Sequence, residues 1–213
     1  MLSALQRAVT QPATFFETES DDPSLGPPVV VVGLVAVAGI LGSIPTVLAV
    51  NRALPAEAGL FAAIGFLFGS ITAVIGPFVS WVIVVTLLFI GAVLAGGNGE
   101  FRDLFALVGW GFAPRIVVPL VGGVVAFLLL SGTNFSDPQQ ARRLSQMATT
   151  GTFGLVSQGV NAVMFVWAGW MWTHAIASTQ NLTTRTAGVI SGAVVVLQIL
   201  VNVGLSLLSA SLV

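Results

Sequence analysis

Long uncharged runs of apolar residues, separated by short polar connections, are the main pattern of this chain. The clearest run extends from Val29 to Val50, 22 residues without a charge, and is followed by Asn51 and Arg52. A helix of that length spans roughly 30 Å of hydrocarbon at about 1.5 Å per residue. The runs lack the alternating polar pattern of barrel strands, and backbone groups in lipid must be paired within the segment. The pattern therefore predicts membrane-spanning helices.

A second run, from Gly59 to Gly97, is uncharged for 39 residues and allows two interpretations. A hairpin at Gly76 and Pro77 would give six spans, whereas a kinked or broken long segment would give five. The neighbours of this pair are apolar and offer nothing to the headgroup region, which favours the second interpretation. We therefore predict a partly embedded or interfacial helix over Glu57–Ile75 and the second span over Pro77–Ala95.

Three further apolar runs complete the predicted membrane domain. The third span is placed at Leu104–Leu130, the fourth at Phe153–Ala177 and the fifth at Ala187–Leu212, with a long polar connection over Ser131–Thr152. Together the runs predict an all-α fold, because only helices pair their backbone within one segment. The expected architecture is a polytopic membrane helix bundle of about five transmembrane helices plus an interfacial or partly embedded helix.

The first residues have the spacing of a short amphipathic helix. Apolar side chains recur three and four positions apart up to Phe16, beside Arg7, which is typical of a helix lying on a membrane surface. Prolines and a glycine between residues 23 and 28 then prevent the helix from continuing. The sequence thus predicts a cytoplasmic or interfacial N-terminal segment over residues 1–28 and a transmembrane domain over residues 29–213.

The composition limits the chemistry available to the chain. Only 7% of its 213 residues are charged, against about 25% in soluble domains, and the net charge of −1 gives no basic surface for nucleic acid. There is no cysteine and a single histidine, and all eight acidic residues fall in the N-terminal segment or in loops. We therefore assign no catalytic, cofactor-binding or metal-ligating residue, and predict that the protein is not an enzyme.

One cation inside a predicted span is the main candidate for a binding site. Arg115 follows Pro114 and lies about one helical turn after the sequence Gly109-Trp110-Gly111. A guanidinium in hydrocarbon must either reach the interface or find an acceptor, so Arg115 is either a snorkelling interfacial arginine or a site for an anionic lipid headgroup or ligand. We treat these five residues as possible contacts of a lipid or a partner.

Polar side chains recur on the last two predicted spans. Gln158 and Asn161 lie on the fourth span, and Gln198 and Asn202 lie four residues apart on one face of the fifth. We expect them to form interhelical hydrogen bonds; the alternative is a polar permeation path. Small residues at the same spacing, the pairs 65/69 and 188/192, are glycines and indicate close helix contacts.

Three tryptophans near the end of the fourth span, Trp167, Trp170 and Trp172, are interpreted as an aromatic belt at the membrane interface. The segment that contains them, Trp167-Ala-Gly-Trp-Met-Trp172, resembles the tryptophan-bearing fourth helix of the Yip family. These multi-pass membrane proteins are named for their interaction with Ypt/Rab GTPases and include a broad prokaryotic branch. Gly109-Trp110-Gly111 with Pro114 is similar to the family's Gly-Tyr-Gly element, with tryptophan in place of tyrosine.

Two N-terminal segments extend the resemblance over nearly the whole chain. Leu25-Gly26-Pro27 is similar to the end of the family's Asp-Leu-Tyr-Gly-Pro motif, and Gln11–Phe16 resembles the Pro-to-Phe opening of prokaryotic members. The resemblance implies a five-span bundle in a prokaryotic cell membrane, without known catalytic chemistry. In eukaryotes the family acts in vesicle trafficking and membrane shaping.

The leading functional hypothesis is a non-enzymatic membrane protein that organises membrane or docks partner proteins. Its expected partners are membrane lipids and other membrane proteins or a second copy of the chain, with no nucleic acid and no cofactor. The alternative is a small-solute facilitator or channel lined by the polar residues of the last two spans, Gln158, Asn161, Gln198 and Asn202.

Overall fold

The computed structural model describes residues 2–53, 59–131 and 152–211, and all regular structure in these ranges is helical. It confirms the predicted all-α membrane helix bundle. A four-residue 3₁₀ helix, Ala113–Ile116, lies between α5 and α6. In chain order the α-helices are α1 (Leu2–Thr10), α2 (Pro12–Glu19), α3 (Gly26–Ala53), α4 (Gly59–Leu94), α5 (Phe101–Trp110), α6 (Val117–Leu130), α7 (Thr152–Gln180) and α8 (Thr184–Ser211).

Four helical segments of the described ranges are long and apolar enough to cross a membrane. They are Gly26–Ala49, Ala63–Leu94, Ala113–Leu130 and Thr184–Leu205. The predicted fourth span lies in α7, which has 29 residues but is interrupted by polar side chains and is not among the four. A total of five spans therefore stays a prediction. Most of the predicted polar connection, residues 132–151, lies outside the described residues.

α4 corrects the predicted division of the second long run. The helix continues unbroken for 36 residues through Pro77, so the structure shows neither a hairpin nor a separate interfacial helix before it. Proline removes one backbone hydrogen bond and costs about 3 kcal/mol in a helix interior, but membrane helices tolerate it because neighbouring groups and local adjustments of the helix satisfy the freed carbonyl. At about 1.5 Å per residue α4 is about 54 Å long, well beyond a hydrocarbon core of about 30 Å.

The predicted third span is interrupted, which is a second correction. α5 ends at Trp110 and α6 begins at Val117, after the 3₁₀ turn. Both parts nevertheless run along α3 in the same direction. Gly109 lies against Pro28 near the start of α3, and Gly123 approaches Gly42 farther along it. The break therefore bends one pass through the bundle and does not reverse it.

The N-terminal segment forms two short helices that pack into the bundle. Pro12 begins the second of them, as proline does where its missing N–H is not needed. Ala8 and Phe16 are fully buried and Phe15 nearly so, and all three belong to the same hydrophobic core as α5 and α7. The packing buries one face of this segment against the bundle, while its predicted place at the membrane surface and the division at residue 28 stay predictions.

The hydrophobic core occupies one part of the bundle. It forms where the second half of α4, α5, the second half of α7 and the first half of α8 meet. Polar contacts join the two connections at this end: Asn181 Nδ2 donates to Asn98 Oδ1 at 2.8 Å, and Asn98 N donates to Gln180 O at 3.3 Å. The first half of α4 and the end of α8, by contrast, expose most of their described side chains.

Of the two glycine pairs singled out in the sequence, only Gly188 contacts another helix, since a Cβ there would lie 3.7 Å from Thr173 Cγ2. A Cβ atom added at residue 65, 69 or 192 would meet nothing within 4 Å, so the prediction of close contact is wrong there. Gly42 instead lies directly against the Pro119 carbonyl of α6, and a Cβ at Gly91 would lie 2.7 Å from Ile190 Cγ2. A small residue allows a close contact only where another helix packs against it.

We predict that Ser24 and Ala95 lie on the same side of the membrane. Between these two residues the chain crosses twice, once through α3 and once through the uninterrupted α4. The chain has no cysteine, so Ser24→Cys and Ala95→Cys can be labelled with a membrane-impermeant thiol reagent in vesicles of known orientation. Both should label from one side and Gly76→Cys from neither. Labelling of the first two from opposite sides, as six spans require, would contradict the structure.

Candidate functional site

The best-defined site surrounds the break between α5 and α6, where the sequence Gly109-Trp110-Gly111 ends the helix. A Cβ at Gly109 would lie 2.6 Å from Pro28 Cβ and 2.8 Å from Trp81 Cζ2. A Cβ at Gly111 would overlap the indole of Trp172. These distances are shorter than the contacts that real Cβ atoms make, so any residue larger than glycine would displace its neighbours at both positions.

Two indoles hold α5 from opposite neighbours. Trp172 Nε1 of α7 donates to Val108 O at 3.1 Å, and Trp81 Nε1 of α4 donates to Phe105 O at 3.1 Å. Trp172 is fully buried, so its predicted place in an interfacial aromatic belt is wrong. Each indole satisfies its own N–H and a carbonyl of α5, which fixes where the helix lies in the bundle.

Trp110 connects the break to the N-terminal helices. Its ring is almost fully buried and meets the edge of Phe15 at 5.1 Å between centroids. Phe15 in turn meets Phe16 at 5.2 Å. On the outer side of the same contact, Trp167 Nε1 donates to Val9 O at 3.3 Å. The N-terminal helices are therefore anchored at the Gly109–Gly111 element, and Trp110 Nε1 is buried without a partner among the described residues.

Arg115 lies within the break and its side chain packs among α4, α7 and the break itself. Its Nη1 donates to Ser80 Oγ of α4 at 3.2 Å. Its Cζ lies 4.9 Å from the ring centroid of Phe112 and 5.0 Å from that of Phe165, so the cation sits between two aromatic faces. Pro114 precedes it and is buried. The five residues that the sequence singled out lie within one short segment, and a shared site formed by them stays a prediction. Arg115 is contacted by Ser80 of α4, Phe112 of the break and Phe165 of α7.

The positive charge of Arg115 has no counterion in the part of the chain that the structure describes. Its contacts there are a neutral hydroxyl and two rings. A guanidinium carries five N–H donors and stays protonated at any physiological pH. Four of the five donors are left after the single bond to Ser80, so the site can accept an anion with two oxygens side by side.

The four polar residues of the last two spans are not joined by hydrogen bonds in the described structure. Gln198 Oε1 is buried without a partner, and Asn202 is exposed. Gln158 and Asn161 are half-buried. The polar contact that does join α7 and α8 is Thr173 Oγ1 with Ser191 Oγ at 2.6 Å.

This hydroxyl pair was not predicted from the sequence. Ser191 lies directly before Gly192, in a run of small residues, and such residues allow two helices to come within hydrogen-bond distance. His174, the single histidine, meets the edge of Trp170 at 5.9 Å. No group of three or more histidine or acidic side chains that could hold a metal occurs in the described ranges. The arrangement around Arg115 can therefore bind a ligand through the guanidinium. Its described residues include no nucleophilic side chain that is paired with a general base.

We predict that Gly111→Ala destabilises the protein by about 1–3 kcal/mol, the usual cost of forcing an atom into a packed core. Gly111 has helical backbone angles, with φ −66° and ψ −6°, so alanine itself is not strained there. The loss must then come from the Trp172 indole. Gly122→Ala is the matched control, because a Cβ there meets nothing within 4 Å. Equal thermal stability of both variants in detergent would contradict the packing role.

Comparison with known proteins agrees with this architecture. The chain is 25% identical over 130 residues to an uncharacterised protein of Methanocaldococcus jannaschii, an alignment that covers 61% of this chain and 92% of the relative. No solved structure matches the chain. A family model described as the Yip1 domain matches residues 7–205, which include the end of α1, all of α2, the break and α8 up to Leu205. The chain is thus an integral membrane protein that belongs to the Yip1 domain family.

Proposed function

We propose that this protein is a non-enzymatic member of the Yip1 domain family that organises membrane or docks partner proteins in a prokaryotic cell membrane. The observation that supports this most is the contrast between the two parts of the bundle. Indoles, phenylalanines and the N-terminal helices fill one part, whereas helices with apolar, exposed side chains extend from it into the other.

The exposed part offers a large contact surface. Leu60, Phe68, Leu200 and Leu205 are 62–70% exposed, and they lie on the first half of α4 and the second half of α8. In a membrane such side chains meet lipid tails or another helix. Because lipid tails are as apolar as leucine, helices associate there through packing and hydrogen bonds, and an exposed helix half remains available to other membrane proteins or to a second copy.

The filled part supports a role without transport. Trp110, Trp172, Phe16 and Phe112 are the largest fully buried side chains, and they lie together in the core around the break. A water-filled path needs a continuous row of polar groups, whereas these four side chains fill the space with rings. We therefore expect proteoliposomes containing the protein to show no more flux of small polar solutes than empty vesicles.

A facilitator is the second candidate, and one observation favours it. Gln198 Oε1 is buried without a hydrogen-bond partner in the described structure, and a buried amide oxygen of this kind is normally satisfied by protein or by water. Water or a small polar solute at Gln198 would be the start of a path between α7 and α8, lined also by Gln158, Asn161 and Asn202.

The flux measurement distinguishes the two candidates. Glycerol and urea entry into proteoliposomes is followed by light scattering for the wild type and for Gln198→Leu. Rates equal to those of empty vesicles in both cases support the organising role. Faster entry with the wild type, abolished by Gln198→Leu, would establish the facilitator and overturn our first proposal.

Docking on the exposed part can be tested in native membrane. We predict that a photo-crosslinking residue at Leu67, which is 58% exposed in the first half of α4, gives discrete protein adducts. The matched control is Val189, which is 70% exposed but lies on the first half of α8, beside the core. It should give only lipid adducts. Identical adducts at both positions, or none at Leu67, would count against a docking surface on α4.

A further inference from the structure

We propose that Arg115 binds a phosphate-bearing anion at the break between α5 and α6, and that the phosphate belongs to the headgroup of an anionic membrane lipid. This inference goes beyond the organising role proposed above and does not depend on it. It rests on an unneutralised charge, on free donors of suitable geometry and on the position of the site along the bundle.

The charge is the first step. Arg115 donates to Ser80 Oγ at 3.2 Å and lies against the rings of Phe112 and Phe165, and no carboxylate pairs with it in the described ranges. Aromatic faces and a hydroxyl attract a cation but do not neutralise it. Ionisable groups inside a membrane normally pair with another charge or mark a ligand site. The positive charge of Arg115 would therefore be neutralised by an anion that does not come from the described residues.

The geometry of the guanidinium is the second step. The two rings, at 4.9 and 5.0 Å from Cζ, and the bond to Ser80 hold the planar group in one orientation. Its remaining N–H donors form a rigid fork that matches two oxygens of one phosphate, a match that a lysine ammonium cannot reproduce. The guanidinium is therefore ordered before any ligand arrives, which lowers the entropy cost of binding.

The position along the bundle identifies the source of the phosphate. Arg115 lies two residues after the start of the apolar segment Ala113–Leu130. Gly109, before it, contacts Pro28 near the start of the apolar segment Gly26–Ala49. Two apolar segments therefore begin close to the site, whereas Ser80 lies well inside the apolar segment Ala63–Leu94. A headgroup phosphate would reach Arg115 at the break, where α5 ends and α6 has not begun.

Exposed apolar side chains also lie next to the site along the chain. Exposed valines flank the contributing residues on three helices: Val79 precedes Ser80, Val117 begins α6, and Val166 follows Phe165. A headgroup phosphate at Arg115 would leave its acyl chains against these side chains. A free phosphate ion would gain nothing from them, so the apolar surroundings favour a lipid.

The full-length protein in detergent provides the test. Thermal unfolding and native mass spectrometry are recorded with added phosphatidylglycerol, with phosphatidylcholine and with inorganic phosphate. We expect phosphatidylglycerol to raise Tm and to stay bound to the wild type, and phosphatidylcholine to do so less. Arg115→Gln should weaken retention of phosphatidylglycerol about tenfold or more, because charge-assisted hydrogen bonds are lost.

Two further variants separate a site from a general charge effect. Arg102→Gln removes an exposed arginine of α5 and should retain the lipid like the wild type. Arg115→Lys keeps the charge but not the fork, and should retain less lipid than the wild type and more than Arg115→Gln. If Arg115→Gln does not fold, Arg115→Lys and Ser80→Ala carry the comparison, and both should retain less lipid than Arg102→Gln.

The outcomes decide the proposal and the source of the phosphate. Stabilisation by phosphatidylglycerol that depends on Arg115 confirms a lipid site. Stabilisation by inorganic phosphate alone, again lost in Arg115→Gln, keeps the phosphate site but assigns it to a soluble ion. Equal lipid retention by the wild type and the Arg115 variants would overturn the proposal, whatever the flux and crosslinking experiments show about the organising role.

Discussion

The contact between two glycines and two indoles is the constraint on which the rest of this bundle depends. Because Gly109 and Gly111 have no side chains, Trp81 and Trp172 can approach α5 closely enough to donate to its backbone carbonyls. In lipid the hydrophobic effect does not drive helices together, so such packing and hydrogen bonds supply the attraction. With α5 fixed in this way, the core of α4, α7 and α8 can assemble around it.

The same contact explains why the chain breaks where it does. The α5 helix ends against the Trp172 indole, and Pro114 lacks the N–H that a continuing helix would use, so the chain turns through a 3₁₀ segment before α6. Space beside Trp110 is then filled by Phe15 from the N-terminal helices. An interrupted span is thus stabilised by aromatic packing on both sides, as irregular backbone within a membrane requires.

The sequence predicted the class of fold, but not where the helices break. Pro77 and Pro114 both lie in apolar runs, and the prediction placed a division at the first and none at the second. The structure shows the reverse: Pro77 is half-buried within a continuous helix, whereas tryptophans of α4 and α7 pack against the chain just before Pro114. Whether a proline breaks a helix thus depends on residues distant in sequence, such as Trp172. The residues next to the proline do not reveal those contacts.

The candidate site shows the same limit. Local sequence was enough to place Gly109 to Arg115 together, since a charge in an apolar run stands out. It could not find Ser80 or Phe165, which come from other helices and have no unusual spacing of their own.

Those distant partners decide what Arg115 does. An arginine at the centre of a span costs about 2.5–3.5 kcal/mol on insertion scales, and a desolvated cation–π contact returns about 2 kcal/mol. Two rings and a hydroxyl can therefore hold the guanidinium inside the bundle when snorkelling would otherwise be cheaper. The rings and the hydroxyl do not neutralise the charge, however, so the guanidinium that they hold inside the bundle can still bind an anion.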